Sequence, residues 1–288
     1  MKLILSRKGF DSSAGGVPSP ILPDGRIVSL PIPDKQSPIS YSEIKFDGTS
    51  IAELVFQLTK GRIPSYYRAH LDPDLVAGSL PRLPGWRPIF GQTSAAQGHL
   101  RNNAVGPGDL FLFFGLFRHV RVMRGSYTWE NGARPCHLIW GWLQIGEVLE
   151  LGVSLPKGCE WATYHPHFHR GGDLNNVVYV ASQYLNLDCI GSQKIPGAGA
   201  FPCFSSSLEL TAPTAQSPSI WDVPAWFHPT GRQTPLTYHT DLGRWRMIGS
   251  RTELRTAARG QEFILDCDDY PEAMPWVSTL LQERERIC

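Results

Sequence analysis

The densest run of reactive side chains is Tyr164-His165-Pro166-His167-Phe168-His169, which holds three of the chain's nine histidines. In an extended segment, residues two apart face the same side, so these imidazoles are expected to converge. Neutral imidazole ligates zinc and non-haem iron, and Pro166 stiffens the segment. A catalytic metal needs a further ligand, and His70-Leu71-Asp72-Pro73-Asp74 offers both an imidazole and carboxylates. The candidate metal set is therefore His165, His167 and Asp72, with zinc, iron or manganese as the divalent ion. Two other readings of the cluster stay open. One is metal-free acid–base catalysis by His165, His167, His70 and Asp72, because imidazole titrates near neutrality. The other is plain structural hydrogen bonding. His169, followed by Arg170-Gly171-Gly172, is expected at the surface.

A second group lies between Ser6 and Gly16, where Arg7, Lys8 and Asp11 share a loop with three glycines. Glycines let backbone N–H groups approach an anion, and the cations would neutralise it. Arg7 and Lys8 are thus candidates for holding phosphate, and Asp11 joins the catalytic candidates. No P-loop or dinucleotide-binding spacing is present, and a mobile loop explains the same text. A third group is rich in amides: Gln92, then Gln97-Gly98-His99-Leu100-Arg101-Asn102-Asn103. Amides offer a donor and an acceptor together, which suits the edge of a nucleobase, and equally suits loops that satisfy their own backbone. Gln92, His99 and, further on, Asn176 are the ligand-binding candidates. The serine-hydrolase elbow, the His-Glu-x-x-His zinc helix and the zinc-deaminase signature are all missing.

The elements that must position these residues read as strand-rich. Residues 2–5 are a first strand, and Pro23-Asp24-Gly25 joins two apolar runs as a hairpin turn. Ile51, Leu54, Val55 and Leu58 repeat at helical spacing behind a Ser50–Glu53 capping box, so 50–60 is a helix with Gly61 as its stop. Residues 62–107 read as irregular. Apolar runs at 109–122 and 137–151 predict an antiparallel pair of buried strands. Residues 175–181 predict a third, SSLELTAP a fourth and 261–266 another, while WDVPAWF reads as a turn-rich docking segment. A terminal helix is expected over 275–286, with Trp276, Val277, Leu280 and Leu281 on one face. No repeat or linker interrupts the 288 residues, so a single domain over 1–288 is expected. Its class is α+β: strand-rich, with two or three helices and long irregular loops. Strands and helices do not alternate, which argues against a doubly wound sheet.

Net charge is +1 and charged residues are 18% of the chain, which argues against a grip on duplex nucleic acid by backbone charge. Arginines do cluster at 244–246 and 251–259; an ordinary solvated face accounts for them. Six cysteines carry no Cys-x-x-Cys pair, no leader precedes the first strand, and no apolar run reaches the roughly 20 residues of a membrane span. A reduced, cytoplasmic protein is the expectation.

The blocks SRKGFDSSAGG, HLDPDL, FGQTSAAQGHL, VGPGDLFLFFGLFR, NNVVYVAS and GQEFILD together resemble the nucleotide-modification-associated domain family of the third type. They span Leu3 to Asp266. The resemblance implies association with systems that modify nucleic-acid bases. It places the family's recurrent positions on Arg7, Lys8, Asp11, Asp72, Gln92, His99, Asp109 and His165-Pro166-His167. Leu116 departs from the pattern, standing where a tryptophan is expected. GPGDLFLFF and the later IGEV are also similar to the strands of PUA-like barrels, which implies a small β-barrel scaffold with a base-reading pocket. The leading functional reading is an enzyme of nucleotide or nucleic-acid base modification with a His/Asp centre. The alternative is a non-catalytic reader of a modified base, and a third option is an interaction protein without a small-molecule site. Expected partners are a nucleotide or modified nucleobase, with nucleic acid as a further candidate; Trp140 and Trp142 could stack on a base or lie in the core.

Overall fold

The structure is a computed structural model and describes residues 1–152, 154, 156–191, 193–257 and 262–288. In chain order the first elements are β1 (Lys2–Arg7), β2 (Ser19–Ile21), β3 (Ile32–Pro33), β4 (Lys45–Phe46), β5 (Thr49–Ser50), α1 (Ala52–Leu58) and β6 (Ala69–His70). Then come β7 (Ile89–Gln92), α2 (Ser94–Asn102), β8 (Leu110–Met123), β9 (Ser126–Trp129) and β10 (Cys136–Glu150). The rest are β11 (Val177–Ala181), β12 (Ala198–Ala200), β13 (Ile220–Pro224), β14 (Trp245–Ile248), β15 (Arg251–Arg255), β16 (Glu262–Asp266) and α3 (Ala273–Leu281). The expected α+β class holds, strand-rich and with three α-helices among the described residues.

The principal sheet has the order β16-β1-β8-β10-β11-β7, with β2 and β9 also paired to β8 and β12 to β10. The aromatic runs β8 and β10 pair antiparallel as expected. β1 lies parallel to β8 and antiparallel to β16. The sheet is curled: Phe90 on β7 sits 5.0 and 5.1 Å from Phe111 and Phe113 on β8, although β10 and β11 separate the two strands. Backbone pairing does not join the ends. Gln92 Nε2 on β7 instead donates to Glu262 Oε1 on β16 at 2.5 Å, and α2 packs beside β16. Among the described residues no closed barrel forms, so the PUA-like barrel is not confirmed.

Two smaller cores flank this sheet. Phe10, Tyr41, Val55 and Leu71 belong to one, built around α1 and the β3–β6 ribbon. Ile89, Val178, Val180, Trp161 and Ala162 form the other, on the outer face of β7 and β11. No helix among the described residues is long and apolar enough to cross a membrane.

Several expectations are corrected. The 50–60 helix forms without its capping box: Ser50 Oγ accepts from Ala52 N–H, and Glu53 takes the Gln57 amide. Gly61, at φ +77°, donates to the Phe56 carbonyl and ends the helix as expected. The Pro23–Gly25 turn forms, but its two arms meet at a single Ile21–Ile27 bridge, because β2 pairs with β8 instead. The irregular stretch 62–107 contains α2, hidden by Gly98 and a mostly polar surface. SSLELTAP makes isolated bridges, not a strand, whereas WDVPAWF supplies β13, followed by a 3-10 turn. The strand expected over 261–266 is observed from Glu262; Gln261 lies outside the described residues, as does Arg259. Cys203 and Cys288 are joined in a disulfide, so the cysteines are not all free thiols.

Candidate functional site

The three cores meet at one buried cluster. The β3–β6 ribbon brings His70 at the end of β6 beside Asp34, which follows Pro33 of β3, and the chain continues directly to Asp72. The histidine segment packs over the outer face of β7 and β11. It is not extended: Pro166–His169 is a 3-10 turn, with Pro166 in its first position. His165 (0% exposed) and His167 (3%) turn inward, while His169 stays at the surface, bonded to the Thr163 carbonyl. β7 supplies Gly91, whose edge N–H donates to Asp72 Oδ1 at 2.8 Å. A Cβ at Gly91 would fall 2.3 Å from the His167 ring, so glycine is what lets the imidazole approach the strand.

Hydrogen bonds fix the ring tautomers. His70 Nδ1 faces Asp34 Oδ2 at 2.8 Å, and a carboxylate can only accept, so that nitrogen carries the proton. His167 Nδ1 lies 2.6 Å from Asn176 Oδ1, and the amide orientation follows from Asn176 Nδ2 donating to the His167 carbonyl at 2.7 Å. Both rings therefore turn Nε2 toward Asp72 Oδ2, each at 3.4 Å and as a bare lone pair when the ring is neutral. That is beyond an ordinary N–H···O bond, and the facing atoms repel unless a proton or a cation lies between them. Two donors bound to one ion at about 2.05 Å in tetrahedral geometry stand about 3.4 Å apart. The ligand atoms of His70, Asp72 and His167 all lie within 4.8 Å of one another, a buried group that could hold a metal ion. His165 differs. Its Nδ1 accepts the His167 N–H at 3.5 Å, so in the neutral ring Nε2 carries the proton and faces the other carboxylate oxygen, Asp72 Oδ1, at 3.4 Å with no hydrogen-bond partner among the described residues.

Electrostatics bind the cluster tightly. Burial pushes the Asp72 carboxyl up, but the His165, His167 and His70 imidazoles outweigh it and hold the group well below the usual carboxylate range. Burial lowers His70, yet Asp34 and Asp72 together raise it above the ordinary imidazole value. For His167 burial wins and the value falls. The hydrogen bond from His70 holds Asp34 at about 2. Two residues along the chain from Asp72, Asp74 takes both Arg82 nitrogens at 2.6 and 2.8 Å and the Tyr164 hydroxyl at 2.5 Å. That network braces the Asp72 limb against the histidine turn.

The other sequence candidates lie elsewhere. Lys8 and Gln92 meet at Glu262, with Lys8 Nζ 2.9 Å from its Oε1. Gln92 points into the curl and Gly91 away from it, so this trio and the histidine centre sit on opposite faces of β7. His99 bonds Thr237 at 3.2 Å and packs 4.7 Å from Tyr238. Asp11 caps its own turn, accepting from Ser13 and Ala14. Arg7 and Asp11 act electrostatically on His137. Asn176 is at the centre, as the residue that orients His167. The arginine cluster is engaged, Arg246 with Glu253 and Arg251 with Asp222, each at 3.0 Å. Sequence reasoning missed Asp34, which no local pattern marks, and Glu262, whose signal was a carboxylate opening an otherwise apolar strand.

A cavity of about 510 Å³ has Asp72 and Pro73 in its wall. The family model described as nucleotide modification associated domain 3 matches residues 2–266 of the chain. No curated protein and no solved structure matches it.

Proposed function

The chain belongs to the nucleotide modification associated domain 3 family, and from that premise we propose that it is an enzyme acting on a nucleotide or nucleic-acid base at a divalent metal held by His70, Asp72 and His167. One observation carries the reading: two imidazoles, each held at Nδ1 by a second partner, turn Nε2 toward one oxygen of a buried carboxylate, at the spacing of ligands around an ion. A two-imidazole, one-carboxylate set suits zinc or non-haem iron and leaves coordination positions open for substrate. Bound there, the ion would supply Lewis acidity and an activated water near neutral pH. Asp34 and Asn176 hold the rings, a role whose loss typically weakens metal binding about 10–100-fold. The Gly91 N–H occupies Asp72 Oδ1, with His165 Nε2 3.4 Å from the same oxygen, and so turns Oδ2 toward the ligand rings. Residues 1–288 act in this reading as one domain, supported by the pairing of β16 with β1.

Metal-free acid–base catalysis is the second reading, favoured by the place of His70 between Asp34 and Asp72, which raises its proton affinity. A non-catalytic reader of a modified base would use the cavity and leave the histidines structural.

Elemental analysis of the purified protein beside Asp72→Asn and His165→Gln decides among these. About one equivalent of zinc, iron or manganese is expected, lost in Asp72→Asn and largely kept in His165→Gln. Protein that stays metal-free after each ion has been offered and the excess removed would overturn the metal reading.

A further inference from the structure

We propose that the cavity beside the centre receives the uncharged heterocycle of the substrate, as a nucleobase or nucleoside, and leaves any phosphate at the rim. This rests on the reading of Asp72 as part of the reactive centre.

The cavity's volume lies within the ~300–1,000 Å³ range of small-molecule sites. Ile27, Val28, Leu71, Leu75, Trp140 and Phe201 make its walls apolar. Asp72 belongs both to this wall and to the histidine centre, so a ligand in the cavity lies beside the residue whose carboxylate both imidazoles face. The charges around it exclude a buried phosphate. Arg26 is already taken by Asp24 at 2.7 Å and Asp47 at 2.8 Å, and Asp74 by Arg82 at 2.6 Å. A phosphate drawn inside would meet Asp72 with no free cation beside it among the described residues; Lys45 stands exposed at the rim, where a phosphate could remain hydrated.

The test titrates the four 2′-deoxynucleosides and their 5′-triphosphates into the full chain, with metal content measured on the same preparations. One variant accompanies it. Gly78 lines the cavity, and a Cβ there meets open space, so Gly78→Phe fills the cavity with little strain. At least one nucleoside is expected to bind, with its triphosphate within about tenfold of it. Binding should vanish in Gly78→Phe, with metal content unchanged. Triphosphates binding where nucleosides do not, nucleoside binding that survives Gly78→Phe, or no nucleoside binding to metal-loaded protein would each overturn the inference. Metal-free protein that binds nucleosides in this pattern would retire the metal and leave the pocket standing.

Discussion

At the residue scale, the centre depends on which atom of each side chain faces inward. Asp72 is buried with three imidazoles around it, and what distinguishes them is the partner of each second nitrogen: a carboxylate for His70, an amide oxygen for His167 and a backbone N–H for His165. The first two turn Nε2 toward Asp72 Oδ2 and the third turns Nε2 toward Oδ1. Gly91 makes the close approach achievable, which gives a sharp prediction. In Gly91→Ala the new methyl would overlap the His167 ring and push it off Asp72. Zinc affinity, measured by competition with a chelator, should fall at least about tenfold, and stability should drop by about 1–3 kcal/mol from overpacking. Gly98→Ala is the control, since a Cβ there meets open space on α2 and the change should be neutral or slightly stabilising. Equal zinc affinity in Gly91→Ala and the parent would mean that His167 is not a ligand.

At the scale of elements, β10 carries a buried imidazole of another kind. His137 accepts the Trp221 indole N–H from β13 at 2.9 Å, so it ties the β13–β15–β14 sheet to the principal one and must stay neutral. Burial, with a further push from Arg7, lowers it to about 3. The unfolded value is about 6.5, so between the two the unfolded chain holds a proton that the native chain refuses. Stability is then complete above about pH 6.5 and declines as pH falls toward 3, by up to ~1.4 kcal/mol per pH unit. His137→Gln keeps an acceptor for Trp221 and cannot titrate. Urea midpoints at pH 7, 6 and 5 should therefore fall less steeply in this variant, and parallel slopes would refute the account. β10 was itself plain in the text, as were β1, β8, β11 and β16, because strands covered on both faces read as continuous apolar runs. α2 was not, since its buried residues are Leu100 and Gln97, which accepts from the Tyr179 hydroxyl, and a single large apolar side chain marks too little of its inner face. The centre was legible by residue type but not by geometry. The i, i+2 rule assumed a strand where Pro166 starts a 3-10 turn, and nothing local to His70 says that Asp34 reaches it across the β3–β6 ribbon. Lys8, Gln92 and His99 had the right chemistry for a site and settled on the other side of β7 or beyond it.

For the whole molecule, the long-range ties divide the chain unevenly. Every residue placed at the centre, from Asp34 through Asn176, precedes Cys203, whereas the disulfide to Cys288 closes a loop of 85 residues that contains the β13–β15–β14 sheet, β16 and α3. This later part covers the principal sheet, with β16 pairing along β1 and α3 packing its apolar side into the main core. The bond should thus bear on global stability and not on metal affinity. A loop of this length has a closure entropy worth at most about 4.6 kcal/mol, with about 2–4 kcal/mol typically realised. The double variant Cys203→Ser/Cys288→Ser, or the parent under reductant, should unfold at lower denaturant by that amount while retaining its metal stoichiometry. Cys288 also stands in the wall of the cavity, so nucleoside affinity is the more sensitive readout. Loosening the C-terminus should weaken it severalfold while the metal stays in place. An unchanged unfolding midpoint would show that the bond is not formed in the folded protein. Loss of metal together with the bond would show that the His70–Asp72–His167 group depends on the covering elements.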